Sequence, residues 1–247
     1  MTLVWRFIPL LQACGDVQMA IDSWLLKQHQ SGDPPALRFY TWSPPAISLG
    51  YHQHKYPEHW QHLVWQGEKL DLVRRPTGGR AVLHQGDLTY AVVTSGITFG
   101  FVGSRVQVYQ KICEFLIQGW RSLGIQLQYG TAGRGYIHNP NCFGTATGAD
   151  LILPDGTKLI GSAQVRRGGA ILQHGSIRLQ PCAELFTQVF GTESFSPVQL
   201  PQNLDIEKIM TALMTAAEDC FGMELKVQPL CESEWEAILA QPSLEIG

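Results

Sequence analysis

Apolar residues recur at helical spacing in three stretches of the chain. Val17, Ile21 and Trp24 share one face of a segment that Asp16 is placed to cap, which predicts a helix of about 13 residues. Tyr109, Ile112, Leu116, Trp120 and Leu123 form an apolar stripe over residues 105–123, the clearest helix in the chain. Cys113 falls on that stripe and reads as a core thiol. Ile206, Ile209, Leu213, Ala216 and Cys220 form the third stripe, and Ser233 with Glu236 make a capping-box pattern for a short last helix.

Between these stretches the pattern changes. "MTLVWRFIPLLQACG" reads as a first strand and a turn. "ALRFYTW" and "AISLGY" read as strands joined by the turn Ser43 to Pro45, and "LDLVRR" and "LTYAVVT" as two more. After "LGIQLQY" comes a Gly/Asn-rich loop, "GTAGRGYIHNPNCFGTATG". "ADLIL", "TKLIGSAQVR" and "GAILQHGSIRL" follow as strands, with "PDG" at 154–156 as a tight hairpin signal between the first two. Strands run in groups with helices before, between and after them, so the class is α+β, not alternating β-α units. With 247 residues and no repeat or low-complexity tract, the chain reads as a single domain, 1–247, whose part from about 181 is mostly helical.

Composition narrows the function classes. Apolar residues make up 45% and charged residues 16%, enough for a substantial core. The net charge of −3 argues against a nucleic-acid partner, because proteins that grip phosphates uniformly are usually basic. No segment has an apolar run long enough to cross a bilayer. "LQAC" at 11–14 has the look of a lipoprotein cleavage site, but Arg6 and Pro9 interrupt the run before it. The six cysteines, Cys14, Cys113, Cys142, Cys182, Cys220 and Cys231, include no C-x-x-C pair. Structural zinc is therefore not expected, and the reducing cytoplasm is the favoured compartment. His52, His54, His59 and His62 crowd one polar stretch without a metal-ligand pattern, so no metal site is assigned.

The chemistry concentrates in "RRPTGGRAVLHQGDLTY", residues 74–90. Adjacent glycines allow positive φ and close backbone approach, and inward amides of such a turn can cradle an anion. Arg74, Arg75 and Arg80 flank the turn, with His84 behind it. The glycine spacing is neither a P-loop nor a dinucleotide fingerprint. Taken alone, the segment is also compatible with a glycine-rich connection carrying surface arginines. A second constellation bears on the choice. Cys142 is the one cysteine in a polar loop, and Lys158 opens an otherwise apolar strand across a hairpin from it. A nearby ammonium favours thiolate over thiol, which would make Cys142 a nucleophile. An inert cysteine and a surface lysine remain the alternative on the residues alone.

Residues 74–90 resemble the signature of the lipoate–biotin protein ligase superfamily, and "GTKLIGSAQVRRGGAILQHGSI" resembles that superfamily's second block, which carries its lysine. "MAIDSWLL" and "FYTWSPPAISLGYHQ" match its N-terminal segments, so the likeness spans roughly residues 3–180. The resemblance implies a class II aminoacyl-tRNA-synthetase-like catalytic fold: a mixed, largely antiparallel sheet with flanking helices. It also implies one of several activities. Lipoate and biotin ligases activate a free acid with ATP and Mg. Octanoyltransferases take an acyl group from acyl carrier protein and need no cofactor. One group of these transferases looks like lipoate ligases but carries a cysteine in the loop before the lysine strand, where "NCF" places Cys142 and "TKL" places Lys158.

The expectation is therefore an octanoyltransferase of lipoate biosynthesis, with Cys142 and Lys158 catalytic. Octanoyl acyl carrier protein would be the donor. A lipoyl-domain protein, the glycine cleavage H protein or a dehydrogenase E2, would be the acceptor. By the same resemblance the substrate site takes Arg75, Thr77, Gly78, Gly79, Arg80 and His84 from the first block. From the second it takes Gly161, Ser162, Ala163, Gln164, His174 and Gly175, with amides around Gly161 and Ser162 as oxyanion donors. Gln53 is expected in the pocket, and Arg134, Arg166 and Arg167 are expected to dock the acidic carrier. An amidotransferase that moves octanoyl between lipoyl proteins also carries such a cysteine. The chain ends at Gly247, which leaves little room for the extra domain common in bacterial lipoate ligases. A non-catalytic acyl-binding module is the remaining alternative.

Overall fold

The computed structural model describes residues 2–96, 98, 103–130, 149–191, 195, 197–242, 244 and 246. Chain order begins with β1 (Leu3–Ala13), α1 (Gly15–Gln30), β2 (Ala36–Trp42) and β3 (Ala46–Leu49), then a 3-10 turn (Glu58–His62). Next come β4 (Val64–Trp65), β5 (Glu68–Lys69), β6 (Asp71–Arg74), β7 (Val82–His84) and β8 (Asp87–Ser95). After α2 (Arg105–Ser122) follow β9 (Gln128–Tyr129), β10 (Leu151–Ile152), β11 (Lys158–Arg167) and β12 (Ala170–Arg178). The chain closes with α3 (Ala183–Phe190), α4 (Ile206–Phe221), β13 (Met223–Val227) and α5 (Glu232–Leu239).

One eight-stranded sheet, in the order β13-β1-β2-β8-β12-β11-β10-β9, is the frame. β1 runs parallel to both β13 and β2, and every other pairing in it is antiparallel. The strand period of two divides its central residues between two layers. Leu88, Tyr90, Val92, Ile171 and Ile177 point to α2 and α4, where they pack with Ile112, Phe115, Trp120 and Leu213. Ala91, Val93, Leu172, Tyr40 and Trp42 point the other way, to α1. A small sheet, β6-β3-β7, carries its own apolar cluster with Trp60, Leu185 and Phe186. Arg74 ends β6, and residues 75–81 form the connection from β6 to β7.

The expected strands and helices form, with differences at their ends. Cys14, not Asp16, is the N-cap of α1, which is 16 residues long; Asp16 lies inside the first turn instead. The last helix starts two residues earlier than its Ser233/Glu236 pattern suggests, and its capping box joins Cys231 to Glu234. Ser104 caps α2 with Gln107 in a full capping box. "PDG" closes the β10–β11 hairpin, with Gly156 at φ +88°. The mostly helical C-terminal part also contributes a strand, β13, that extends the sheet beside β1. Cys113 is fully buried, and burial pushes its thiol up to about 12, so it is an inert core residue. The five described cysteines are all free. Among the described residues, no helix is long and apolar enough to cross a membrane.

Candidate active site

A cavity lies between the α1-facing side of the large sheet and the small sheet. Met19 comes to it from α1, Tyr40 and Trp42 from β2, and Val82 from β7. Eight residues expected at the site meet there: Arg75, Gly79, His84, Gly161, Ser162, Ala163, His174 and Gly175. β11 and β12 bring the last five together by their register, in which Gly161 faces Ser176, Ser162 faces Gly175 and Ala163 faces His174.

The arginine–glycine turn is built from within. Arg75 donates through Nη1 to Ser48 O at 2.7 Å, and through Nη2 to Gly78 O and Arg80 O, each at 2.8 Å. Its fork therefore sets the shape of the turn as well as facing the cavity. Arg74 donates to the carbonyls of Gly50, Gln53 and Ile246. Gly79 has φ +98°, and Gly50 approaches its carbonyl so closely that a Cβ there would stand 1.9 Å from Gly79 O. Thr77, Gly78 and Arg80 do not line the cavity themselves. Thr77 is buried behind it, with Oγ1 at 2.6 Å from His174 Nε2.

Gln164 points away, to the α2 side, where its amide donates to Gln173 Oε1 at 2.9 Å. Gln53 is also outside the cavity; its carbonyl accepts from Arg74. Arg166 bonds Gln164 at 3.2 Å, while Arg167 is exposed at the β11–β12 turn, 5.8 Å from the Tyr51 ring centre.

Lys158 is buried at the start of β11, and its Nζ lies 2.9 Å from Asp150 Oδ1. It does not line the cavity; Gly161, which does, is three residues on, about 10 Å along a strand. Cys142 and Arg134 lie outside the described residues. The described chain on either side of them converges on Lys158. Gly130 N donates to Asp150 O at 2.9 Å, and Tyr129 pairs with Leu151. Tyr109 of α2 donates to Ala149 O and reaches Ser162 O at 3.3 Å, tying that corner to the cavity strand.

Sequence reasoning missed a set of buried polar side chains around these residues. Asp22, Arg38, Gln18 and Tyr40 lie behind His174; Ser48, Asp87, Thr89 and Ser176 surround His84. Their signal is a charge inside an apolar run: Asp22 in "MAIDSWLL" and Arg38 in "ALRFYTW". Burial of such a group demands a partner, and each of these has one. Burial also pushes the His84 imidazole below its ordinary value, although Asp87 pulls the other way.

The model of the lipoyl protein ligase A/B catalytic domain matches residues 15–224. The chain belongs to that family. Among its relatives is the octanoyltransferase LipM of Halalkalibacterium halodurans, 33% identical over a match that covers 91% of this chain and 89% of that one. The octanoyltransferase LipM of Moorella thermoacetica is 40% identical over 210 residues, 83% of this chain and 73% of its own. That of Lysinibacillus sphaericus is 31% identical over 96% of this chain and 94% of its own. The fold matches a lipoate-protein ligase A bound with ATP, with a TM-score of 0.76 at 22% identity over 97% of this chain and 93% of that one. It also matches the bi-partite lipoate protein ligase of Thermoplasma acidophilum, with a TM-score of 0.75 at 19% identity, over 97% and 91%. At those identities the likeness establishes the fold alone, and the fold is the expected one.

Proposed function

We propose that the protein is an octanoyltransferase of lipoate biosynthesis, which moves octanoyl from acyl carrier protein to the lysine of a lipoyl domain through a thioester on Cys142. The observation that carries this reading is the likeness to LipM octanoyltransferases over nine-tenths of both chains. Two features support it. "NCF" puts a thiol in a segment whose flanking residues, Gly130 and Asp150, are joined beside Lys158. The cavity is mostly apolar, as an octanoyl chain requires.

The chemistry needs no nucleotide. A free carboxylate must be activated, but a thioester already is, and its passage between two thiols is nearly isoenergetic. The Lys158 ammonium favours the Cys142 thiolate. The thiolate attacks the octanoyl carbonyl carbon; a new C–S bond forms, and the carrier's C–S bond breaks as its thiolate leaves and takes up a proton. The acceptor lysine, as free amine, then attacks the Cys142 thioester. The C–N bond forms, the Cys142 C–S bond breaks as the thiolate returns, and the amine loses one proton, which balances the proton taken up by the carrier's thiolate. Amides near Gly161 and Ser162, on the strand that lines the cavity, would serve the oxyanion. The reaction belongs in the cytoplasm with its two protein partners, the acceptor being an H protein or a dehydrogenase E2.

Intact-protein mass spectrometry after incubation with octanoyl acyl carrier protein tests the proposal. An octanoyl adduct on Cys142, released by hydroxylamine and transferred to a lipoyl domain, is expected. Product that forms only with ATP and free octanoate, and survives Cys142→Ala, would establish a ligase. An adduct formed from an octanoylated lipoyl protein but not from the carrier would establish the amidotransferase. No adduct and no product would leave a binding module.

A further inference from the structure

Two aspartate–histidine–hydroxyl relays of the same construction end on the 74–80 turn. In the first, Asp22 Oδ2 is 2.7 Å from His174 Nδ1, and His174 Nε2 is 2.6 Å from Thr77 Oγ1. In the second, Asp87 Oδ2 is 2.8 Å from His84 Nδ1, and His84 Nε2 is 2.8 Å from Ser48 Oγ. Ser48 Oγ in turn accepts from Arg75 Nη1 at 3.2 Å. All six members of the relays are buried, as is Arg75.

The carboxylates set the direction of every bond. An ionised carboxylate only accepts, so each Nδ1 carries the hydrogen. A neutral imidazole then has a bare Nε2, which must accept. The hydroxyls of Thr77 and Ser48 therefore donate to it, and the Ser48 lone pairs are left facing the Arg75 guanidinium. Burial, which holds His84 neutral, favours this state. In that neutral form neither ring has a proton at Nε2 to give to a substrate.

The carboxylates are themselves anchored. Asp22 accepts from Tyr40 OH at 2.9 Å and Arg38 Nη1 at 3.3 Å, while Asp87 accepts from Ser176 at 2.7 Å and Thr89 at 3.2 Å. Trp42 fixes the His84 ring by stacking on it at 3.9 Å and is held by Thr89. Five elements, α1, β3, β7, β8 and β12, thus converge on the turn.

We infer that Asp22 and Asp87 are positioning residues for the reaction: through His174 and His84 they aim Thr77 and Arg75, and so fix the wall of the acyl cavity before substrate arrives. Their kinetic effect rests on the cavity being the acyl site. The tautomers do not, because they are a property of the protein alone.

The test combines kinetics with imidazole ¹⁵N NMR on the full chain. In the wild type both rings are expected as the Nδ1–H tautomer. Asp22→Asn and Asp87→Asn present an amide that can donate to Nδ1, and each should shift its own histidine toward the Nε2–H form. Each should raise KM for octanoyl acyl carrier protein by about three- to tenfold, the worth of one neutral hydrogen bond, with kcat and the shape of the pH profile kept. Asp87→Glu should recover part of the loss. If Asp22→Asn does not fold, Thr77→Val cuts the same relay at its far end and leaves Asp22 with His174, Tyr40 and Arg38; the same KM rise is expected. Wild-type rings in the Nε2–H form would overturn the inference. So would variants that lose kcat with a displaced pH profile, which would make the histidines proton-transfer groups, or variants with unchanged KM. A wild type without any acyl transfer would instead strike the functional reading and leave the tautomers to be judged by NMR.

Discussion

Lys158 and Asp150 form a buried ion pair, Nζ to Oδ1 2.9 Å, with side chains 3% and 6% exposed. Removing one partner leaves the other charge in a low-dielectric interior. Asp150→Asn or Lys158→Ala should each lower unfolding free energy by ~3 kcal/mol, the usual size for a broken buried pair, as read from urea denaturation. Replacing both with apolar residues, Asp150→Leu with Lys158→Met, should recover most of that stability without recovering octanoyl transfer. Recovery of transfer by the double variant would show that the ammonium has no part in the chemistry.

The Gly50–Gly79 contact predicts a sharp difference between neighbouring glycines. A methyl at Gly50 would stand 1.9 Å from Gly79 O, where only backbone can give way. Gly50→Ala should cost ~2–3 kcal/mol, typical of overpacking, and should displace the turn that carries Arg75. A methyl at Gly78 meets nothing within 4 Å, so Gly78→Ala should stay within ~0.5 kcal/mol of wild type. Thermal unfolding of both variants beside the wild type decides it.

How far the molecule was legible in its sequence varies with the range of the forces involved. The α2 stripe and its core thiol Cys113 were legible because helical spacing is a local property. The convergence of "RRPTGGRAVLH" with "LIGSAQ" and "LQHGSI" was legible through the resemblance, and the register of β11 and β12 realises it. Periodicity alone could not show that Arg75 turns inward to shape its own loop. Nor could it show that Gln164 faces α2, since alternation assigns parity but not which face lines a cavity. The relays were hidden for a related reason: Asp22 and His174 are 152 positions apart, and only tertiary pairing makes one set the tautomer of the other. β13 escaped because its short, half-exposed pattern has no signal without β1 beside it.

Ala163 offers a test of the cavity's occupant. It lies on β11 opposite His174 and lines the apolar space. Leucine there puts an isobutyl group where a methyl now stands. For an acyl chain, each methylene is worth ~1–3 kcal/mol of discrimination. Ala163→Leu should therefore cut kcat/KM for octanoyl carrier by ~10-fold or more and leave butyryl carrier within ~3-fold. Equal losses for both lengths, in an assay of adduct formation on Cys142, would place the chain elsewhere.

His84 makes stability depend on pH with a definite sign. Burial lowers its pKa from 6.5; Asp87 opposes this, while Arg75 and His174 add to it. Between the lowered value and 6.5 the unfolded chain binds a proton that the native protein refuses, so unfolding gains as pH falls. The contribution is flat above 6.5 and is lost progressively below it, at up to ~1.4 kcal/mol per pH unit for one proton. Urea titrations from pH 8 to 5 should show this loss. His84→Gln, which still can accept from Ser48 Oγ but does not titrate, should show a shallower slope below pH 6.5 than the wild type. Parallel slopes in the two proteins would mean that His84 takes up its proton in the native fold as readily as in the unfolded chain.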